Sequence, residues 1–566
     1  MSRSHEYPSP ARDVTARDDV EPPLRILLVF ASAVLGSGEI QLSELAQKLD
    51  RRRYEIDLVV CFHELGTFDQ TLRLEASGVP VDRTPYHLSL EQTVAYLASL
   101  IPAYHIVMSC GNVADVYPAL ELLHTRPPLI EYGALASEAL AGPKHLTARY
   151  VGACQSTRDA AAMKMPGKEG DAIVVPSMLD MDTALSQWQR LFDSVAPAQS
   201  APAPSLFQSF LQGGFECSSH RRAHDRRRLD VIAATGHDVQ AAADYACLAD
   251  FGMVTVRDGL RWHLIEQRPG TYDWASLDHQ LAAAREVGTE VIWDLMHYGW
   301  PDDIDIWSPQ FPDRFAAFAA AAADYIAPRS SGRRFYAPIN EISFLSWGGG
   351  DVGYLNPFGH GRGFELKVQL VRASVAAMKA IRRADPAARF VHPEPLINIV
   401  THGERPEEAG AAEGHRQAQF QAWDMIAGRA WPLLGGEAGL LDIIGVNYYS
   451  NNQWVHGGPP LSRGDPDYRP FRHMLAEVYA RYGRPLFVAE TGIEGDDRAS
   501  WFAYICDDVN EARRRGVPVE GICLYPILDH PGWDDDRHCP NGLIGLDRKV
   551  HTPLADLIRS FERHQL

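Results

Sequence analysis

"RRFYAPINEISFLSWGG", residues 333–349, runs from an apolar, β-rich segment into Asn340 and Glu341, an amide beside a carboxylate. A buried strand gains nothing from such a pair at its end, because each group needs a partner or loses its solvation. The pattern makes sense where a strand delivers polar side chains into a shared pocket. The rest of the sequence decides whether other strands do the same.

From residue 208 onward the chain repeats that design. Eight β-like runs, each followed by a loop and a helix-periodic segment, are "SFLQGGFEC" (209–217), "GMVTVRDGLRW" (252–262), "TEVIWDLMHYG" (289–299), "RFYAPINEIS" (334–343), "ARFVHPEPLI" (388–397), "LDIIGVNYYS" (441–450), "PLFVAETGI" (485–493) and "GICLYPILDH" (521–530). Such units predict a (β/α)8 TIM barrel. An open sheet gives no reason for polar residues at so many successive strand ends. In a barrel those ends open into one mouth. Strand 1 would bring Glu216 and His220 there, strand 2 Arg257, strand 3 Asp294 and His297, and strand 4 Asn340 and Glu341. Strand 5 would bring His392 and Glu394, strand 6 Asn447 and Tyr449, strand 7 Glu490, and strand 8 Tyr525, Asp529 and His530.

Composition shifts upstream of the barrel at "SVAPAQSAPAPS", residues 194–205, where Ala, Pro and Ser alternate without an apolar period. This reads as a semi-extended linker. Before it, β-like runs at 24–32, 54–62, 105–110, 127–133, 148–155 and 171–177 are interleaved with helical ones at 40–49 and 90–101. That is the pattern of an open, doubly wound, Rossmann-like α/β domain. The expected organisation is a disordered leader at 1–23, the Rossmann-like domain at 24–193, a linker at 194–207 and the barrel at 208–566. "GSGE", residues 36–39, follows the first strand. It either sets backbone N–H groups around an anion at the next helix or forms a tight turn.

Bulk properties restrict the partners. Of 566 residues, 46% are hydrophobic and 22% charged, the composition of a soluble globular chain, and the formal net charge is −19. That charge repels phosphate polyanions and disfavours nucleic acid and membrane surfaces as partners. The first two dozen residues lack the apolar core of a signal peptide, and no apolar run reaches spanning length. The eight cysteines are scattered without CxxC spacing and read as reduced side chains of a cytoplasmic protein.

Glu341 and Glu490 would end strands 4 and 7, nearly opposite in an eight-stranded ring. Two such carboxylates can flank a glycosidic bond, one as proton donor and the other as nucleophile, provided their pKa values are driven apart. Arg257 can keep Glu490 charged, and Tyr449 can donate to the same carboxylate. Asn340 can bind the hydroxyl next to the reacting carbon. Trp262, Trp293, Trp300, Trp454 and Trp533 are candidates for stacking on sugar faces. His392 and Glu394 could meet a sugar or a metal, although two ligands alone make no convincing metal site. Paired carboxylates suffice for the chemistry, so no cofactor is expected.

These motifs carry a resemblance. Residues 208–566 resemble a clan A glycoside hydrolase, and among those the family 1 β-glycosidases. "VRDGLRW" keeps that family's Arg and Trp spacing at Arg257 and Trp262, "LMHYGWP" its histidine at His297, and "INEIS" is similar to its acid/base motif. "DIIGVNYYS" resembles its sixth-strand signature with Asn447 and Tyr449, and "VAETG" its nucleophile motif, with Thr491 in place of an asparagine. The resemblance implies Glu490 as nucleophile, Glu341 as acid/base, and Glu216, His220, His297, Asn447, Trp262, Tyr525, Asp529 and Trp533 as substrate-binding residues. The segment from Leu24 to Asp180 resembles the N-terminal half of a two-Rossmann (GT-B) glycosyltransferase, without the second, donor-binding half. It is expected to bind an acceptor-like sugar, to pack against its neighbour, or to form a homo-oligomer surface.

Three departures bear on the substrate. His220 stands where the family has a sugar-binding glutamine, Tyr525 where it has a platform tryptophan, and Gly532 where it has a clamping glutamate. The glycone is therefore expected to be different or modified. The basic run "HRRAHDRRR", residues 220–228, either engages an anionic substrate group or pairs with acidic "PDDIDIW" and "WDDDRH". The expected function is a retaining β-glycosidase acting on a small carbohydrate or glycoside. Transglycosylation through the same intermediate and a noncatalytic carbohydrate-binding scaffold are the alternatives.

Overall fold

The computed structural model describes residues 23–32, 44–62, 79, 81–111, 113–123, 126–175, 181–196, 205–402 and 404–564. The leader, "GSGE" and most of the Ala/Pro/Ser linker lie outside these residues. The chain divides into two compact units, Met1–Ala198 and Gln199–Leu566.

Among the described residues the first unit is built on a seven-stranded parallel sheet. Its strands are β1 (Leu24–Ser32), β2 (Tyr54–Phe62), β3 (Val81–Asp82), β4 (Ile106–Cys110), β5 (Leu129–Gly133), β6 (Thr147–Gly152) and β7 (Ala172–Val174), in the order β3-β2-β1-β4-β5-β6-β7. The order reverses between β1 and β4, the hallmark of a doubly wound sheet. Its central strands bury both faces, with Ile26 and Leu28 in one apolar cluster and Leu27 and Val29 in another. This explains their near-continuous hydrophobic runs.

In the second unit eight parallel strands close into a barrel: β8 (Leu211–Gly214), β9 (Thr255–Gly259), β10 (Glu290–Asp294), β11 (Phe335–Ala337), β12 (Arg389–Pro395), β14 (Ile443–Asn447), β16 (Leu486–Thr491) and β17 (Val519–Leu524). A short parallel pair outside the barrel, β13 (Asn398–Val400) and β15 (Gln453–Val455), joins the excursions after β12 and β14. Side chains alternate along each strand. Ile292, Phe335, Ala337, Val391, Ile443, Phe487 and Ala489 fill the barrel interior, while Trp293, Tyr336, Phe390, Ile444 and Val488 pack under the surrounding helices. Leu206 and Phe207 belong to that interior cluster, and Phe207 sits 5.0 Å from both Phe335 and Phe487. The barrel core therefore starts two residues earlier than the linker reading places it.

The strands are shorter than the β-like runs of the sequence, because the chain leaves each strand to build the mouth. Two irregularities there aim functional side chains. Strict alternation after Ala489 would turn Glu490 outward, but the pairing register shifts between Val446 and Asn447 and again between Val488 and Thr491. Such shifts re-aim a side chain at the end of a strand. Glu341 has left-handed backbone angles, φ 43° and ψ 64°. For a glutamate this costs on the order of 1–3 kcal/mol. Hydrogen bonds from Glu341 N–H to Pro393 O (3.1 Å) and from Asn340 N–H to Met296 O (3.0 Å) hold it there.

Candidate active site

The mouth of the barrel holds a cavity of about 880 Å³, whose walls include both Glu341 and Glu490. Their strands, β11 and β16, lie three places apart in the eight-stranded ring, so the two carboxylates enter from nearly opposite sides.

Their surroundings differ in kind. Arg257, fully buried on β9, donates from Nη1 to Glu490 Oε1 at 2.6 Å, and Tyr449 Oη donates to Glu490 Oε2 at 2.9 Å. The same guanidinium grips both oxygens of Asp294, at 2.9 and 2.6 Å, and Asn340 Oδ1 at 2.6 Å. Glu341 receives only neutral donors, Tyr298 Oη and, at 2.9 Å, Asn447 Nδ2. Burial together with the charge of Glu490 raises the Glu341 pKa to about 8. Burial raises that of Glu490 too, but Arg257 works against it. One proton shared between two buried carboxyls therefore rests on Glu341.

Asn340 couples the two halves. With its oxygen on Arg257, its amide nitrogen faces His297 Nε2 at 2.9 Å and Tyr298 Oη at 3.0 Å. In its neutral form His297 accepts from that amide at Nε2; its Nδ1 points at Asp294 Oδ2, 3.1 Å away, and although burial opposes its charge, Glu216 and Asp294 raise its pKa overall. Cys217, Asp294 and His297 hold metal-ligating atoms within 4.8 Å of one another. Arg257 occupies both Asp294 oxygens, however, so a guanidinium already sits where a metal would draw its charge compensation.

Two sets of chain segments line the cavity. Strands 8, 1 and 3 contribute Glu216, His297, His530, Trp533 and Asn541, the excursions after strands 4, 5 and 6 contribute Phe344, Trp347, Phe364, Lys367, His415 and Trp454, and Phe344 links the two sets, 6.1 Å from Trp533 and 5.8 Å from Trp347. Glu216 accepts from Ser218 N–H at 2.9 Å and lies 3.8 Å from His297 Nε2. Burial opposes its charge, yet His297 and His530 lower its pKa overall, so a third ionised carboxylate faces the cavity.

Several residues expected at the substrate stand elsewhere. Trp262 is wholly buried, stacked on Phe318 at 4.9 Å with its indole N–H on Glu266, because it opens a short helix that packs outside the barrel. Trp293 and Trp300 are buried and absent from the cavity walls. His220 lies behind Trp533, with Nε2 3.3 Å from its carbonyl and ring centroids 4.8 Å apart. Burial lowers the His220 pKa to about 4, so the ring is neutral. Tyr525 sits beneath the floor, 5.3 Å from the Arg257 guanidinium. Asp529 turns away to accept from Gly542 N–H at 2.8 Å and to face His538. His392 points to Leu440 O at 2.8 Å, and Glu394 takes the Ser343 N–H at 3.0 Å. The basic run resolves into ion pairs: Arg221 and Arg228 with Asp302, and Arg222 with Asp225 and Asp536.

Sequence reasoning missed Tyr298, Trp347 and Lys367. Tyr298 directly follows His297, and its left-handed φ of 63° turns it onto Glu341, a feature no pattern announces. Trp347 lies within the opening stretch, in a helix that begins at the strand end. Lys367 had a signal, since it precedes Leu370 and Val371 by three and four residues on the buried face of a helix.

No family model matches the chain. Among curated proteins, β-glucosidase 1B of Phanerodontia chrysosporium is 26% identical over a segment covering 17% of this chain and 25% of that protein, so the match spans a quarter of the relative's length. Among solved structures, a β-glucosidase from Thermotoga maritima in complex with glucoimidazole superposes with a TM-score of 0.54 at 15% identity, covering 64% of this chain and 100% of its own. The family 1 β-glucosidase from Thermotoga maritima gives 0.52 at 15% identity, with coverage of 64% and 100%. A hyperthermophilic β-glucosidase mutant gives 0.51 at 15%, with 62% and 99%. At such identity the likeness is one of fold. This chain shares the TIM barrel of family 1 β-glucosidases and adds an N-terminal α/β unit.

Proposed function

We propose that the barrel is a retaining β-glycosidase with Glu490 as nucleophile and Glu341 as acid/base. The observation that carries this reading is the asymmetry of the two carboxylates. Glu490 is held by a buried guanidinium and a phenol, whereas Glu341 has neutral partners and a pKa of about 8.

In the first step a Glu490 oxygen attacks the anomeric carbon, the bond to the aglycone oxygen breaks, and Glu341 gives its proton to that oxygen. In the second, Glu341 as carboxylate takes a proton from water, whose oxygen attacks the same carbon and releases Glu490. Double displacement expects the carboxyl groups at roughly 5–5.5 Å. Asn340 is positioned by Arg257, His297 and Tyr298 for the hydroxyl beside the reacting carbon, and Asn447 keeps Glu341 aimed. Glu216, His297, His530 and Trp533 form the glycone side, so a glycone other than plain glucose fits the missing glutamate at Gly532.

The test is burst release from a panel of activated aryl β-glycosides of different glycones, with Glu490→Gln as control. Turnover that Glu490→Gln abolishes supports the reading, and a panel without turnover removes it. Transglycosylation would use the same glycosyl-enzyme, and product analysis with added alcohols separates it from hydrolysis. A noncatalytic scaffold has no use for a buried pair of carboxyls so unevenly partnered. For the N-terminal unit, the likeness to half a glycosyltransferase rests on sequence, and the described residues contain no second Rossmann half. Its reading is a sugar-binding or homo-oligomerising module, which light scattering of the intact chain addresses.

A further inference from the structure

The side of the cavity lined by the excursions after strands 4, 5 and 6 contains a cation that the glycosidase chemistry does not use. Lys367 belongs to the helix Gly363–Ala384 and is only 8% exposed, yet it lines the cavity. Its ammonium donates to Gln421 Oε1 at 3.0 Å and to Ala418 O at 3.5 Å, both uncharged. Among the described residues no ion pair is formed with it. Asp351 and Glu394 act on it only from beyond contact: Asp351 accepts the Gly363 N–H at 2.6 Å, and Glu394 accepts the Ser343 N–H at 3.0 Å. Burial lowers the Lys367 pKa, with those two carboxyls pulling against the shift.

An ammonium carries three donors, and a buried charge without a counter-ion is costly. Here two donors meet neutral acceptors, and the residue itself lines the cavity. The walls next to it are aromatic. Trp347 is 51% exposed and Phe364 46%, and Phe344 stands 5.8 Å from Trp347, so flat apolar surfaces are bare to the cavity. Exposed aromatics rimming a concave site mark a place for a flat ligand.

We infer that this side binds an aromatic aglycone bearing a carboxylate, with the ring against Trp347, Phe344 and Phe364 and the carboxylate on Lys367. The inference rests on the glycosidase reading in that it names the substrate class: aryl β-glycosides of aromatic hydroxy acids. Hydrolysis of such a substrate breaks the bond from the anomeric carbon to the phenolic oxygen. Water supplies the hydroxyl to the sugar and the proton to the phenol.

The released acid is itself a probe, so the test needs no turnover. Binding of 4-hydroxybenzoate and 4-hydroxycinnamate, and of their methyl esters, is measured on the full chain by calorimetry and tryptophan quenching. The acids are expected to bind about tenfold more tightly than the esters, as for a hydrogen bond to a charged group. Lys367→Met should erase the difference and Lys367→Arg should keep it. Equal binding of acid and ester, no saturable binding of either, or a preference that survives Lys367→Met overturns the inference. If Lys367→Met fails to fold, the acid–ester comparison in the wild type and in Lys367→Arg still decides. An acid preference that tracks Lys367 in a protein that cleaves no glycoside would sink the glycosidase reading alone. Cleavage of aryl glycosides with no acid preference would sink this inference alone.

Discussion

In the proposed mechanism Glu341 must be protonated to help the leaving group depart, and its pKa is about 8, so kcat/KM should fall as pH rises through that value. The Tyr298 hydroxyl favours the ionised form of Glu341, so Tyr298→Phe should move this basic limb to higher pH, a shift read from the pH profile. Glu341→Gln should lower turnover of glycosides with poor leaving groups on the order of 10²–10⁴-fold, and far less with a dinitrophenyl leaving group that needs no proton. Arg257→Met would leave Glu490 and Asp294 buried without their cation and should cost about 3–5 kcal/mol in denaturant unfolding. That Glu341, Glu490, Arg257, Tyr449 and Asn447 meet at one mouth was legible in sequence because a barrel brings strand ends to one place whatever the loops do, but Asn447 was expected on the substrate and instead donates to Glu341. Tyr298 was not, because its reach depends on one left-handed residue. Trp262 was misread because its spacing from Arg257 says nothing about which side of the barrel wall the indole takes.

At the scale of elements, the strand count and the helix-strand alternation were readable from apolar periodicity, while the strand ends were not. The fourth strand is only Phe335–Ala337, since the chain turns at Pro338 to carry Asn340 and Glu341 into the mouth. His220 illustrates a role set by packing between loops. Its hydrogen bond to the Trp533 carbonyl joins the segment after strand 1 to the one after strand 8. His220→Ala should free Trp533 and raise KM with a smaller change in kcat, which steady-state kinetics on any cleaved glycoside would record. Trp262→Ala acts on a different element. It should lower stability by about 3–5 kcal/mol through a cavity among Phe311, Phe315 and Phe318, seen as a lower melting temperature, with KM unchanged.

In the whole molecule, each apolar cluster draws its residues from one unit alone, with the barrel core beginning at Leu206 and the N-terminal clusters ending at Val195. Each unit therefore has a core of its own, and the described residues contain no helix long and apolar enough to cross a membrane. A chain starting at Ser205 should fold and turn over any glycoside that the full protein cleaves, whereas one starting at Leu211 should melt lower for want of Leu206 and Phe207. The division was readable from the Ala/Pro/Ser stretch, but the two plug residues were not, because two apolar residues at the edge of a linker carry no period. The central claim is that Glu490 forms a bond to the sugar. The most direct measurement is mass spectrometry of the intact protein after incubation with dinitrophenyl 2-deoxy-2-fluoro-β-glycosides spanning several glycones. One glycosyl adduct per chain, mapping to the peptide that contains Glu490 and absent from Glu490→Gln, is the predicted result. An adduct on another residue, or none with any glycone, would contradict it.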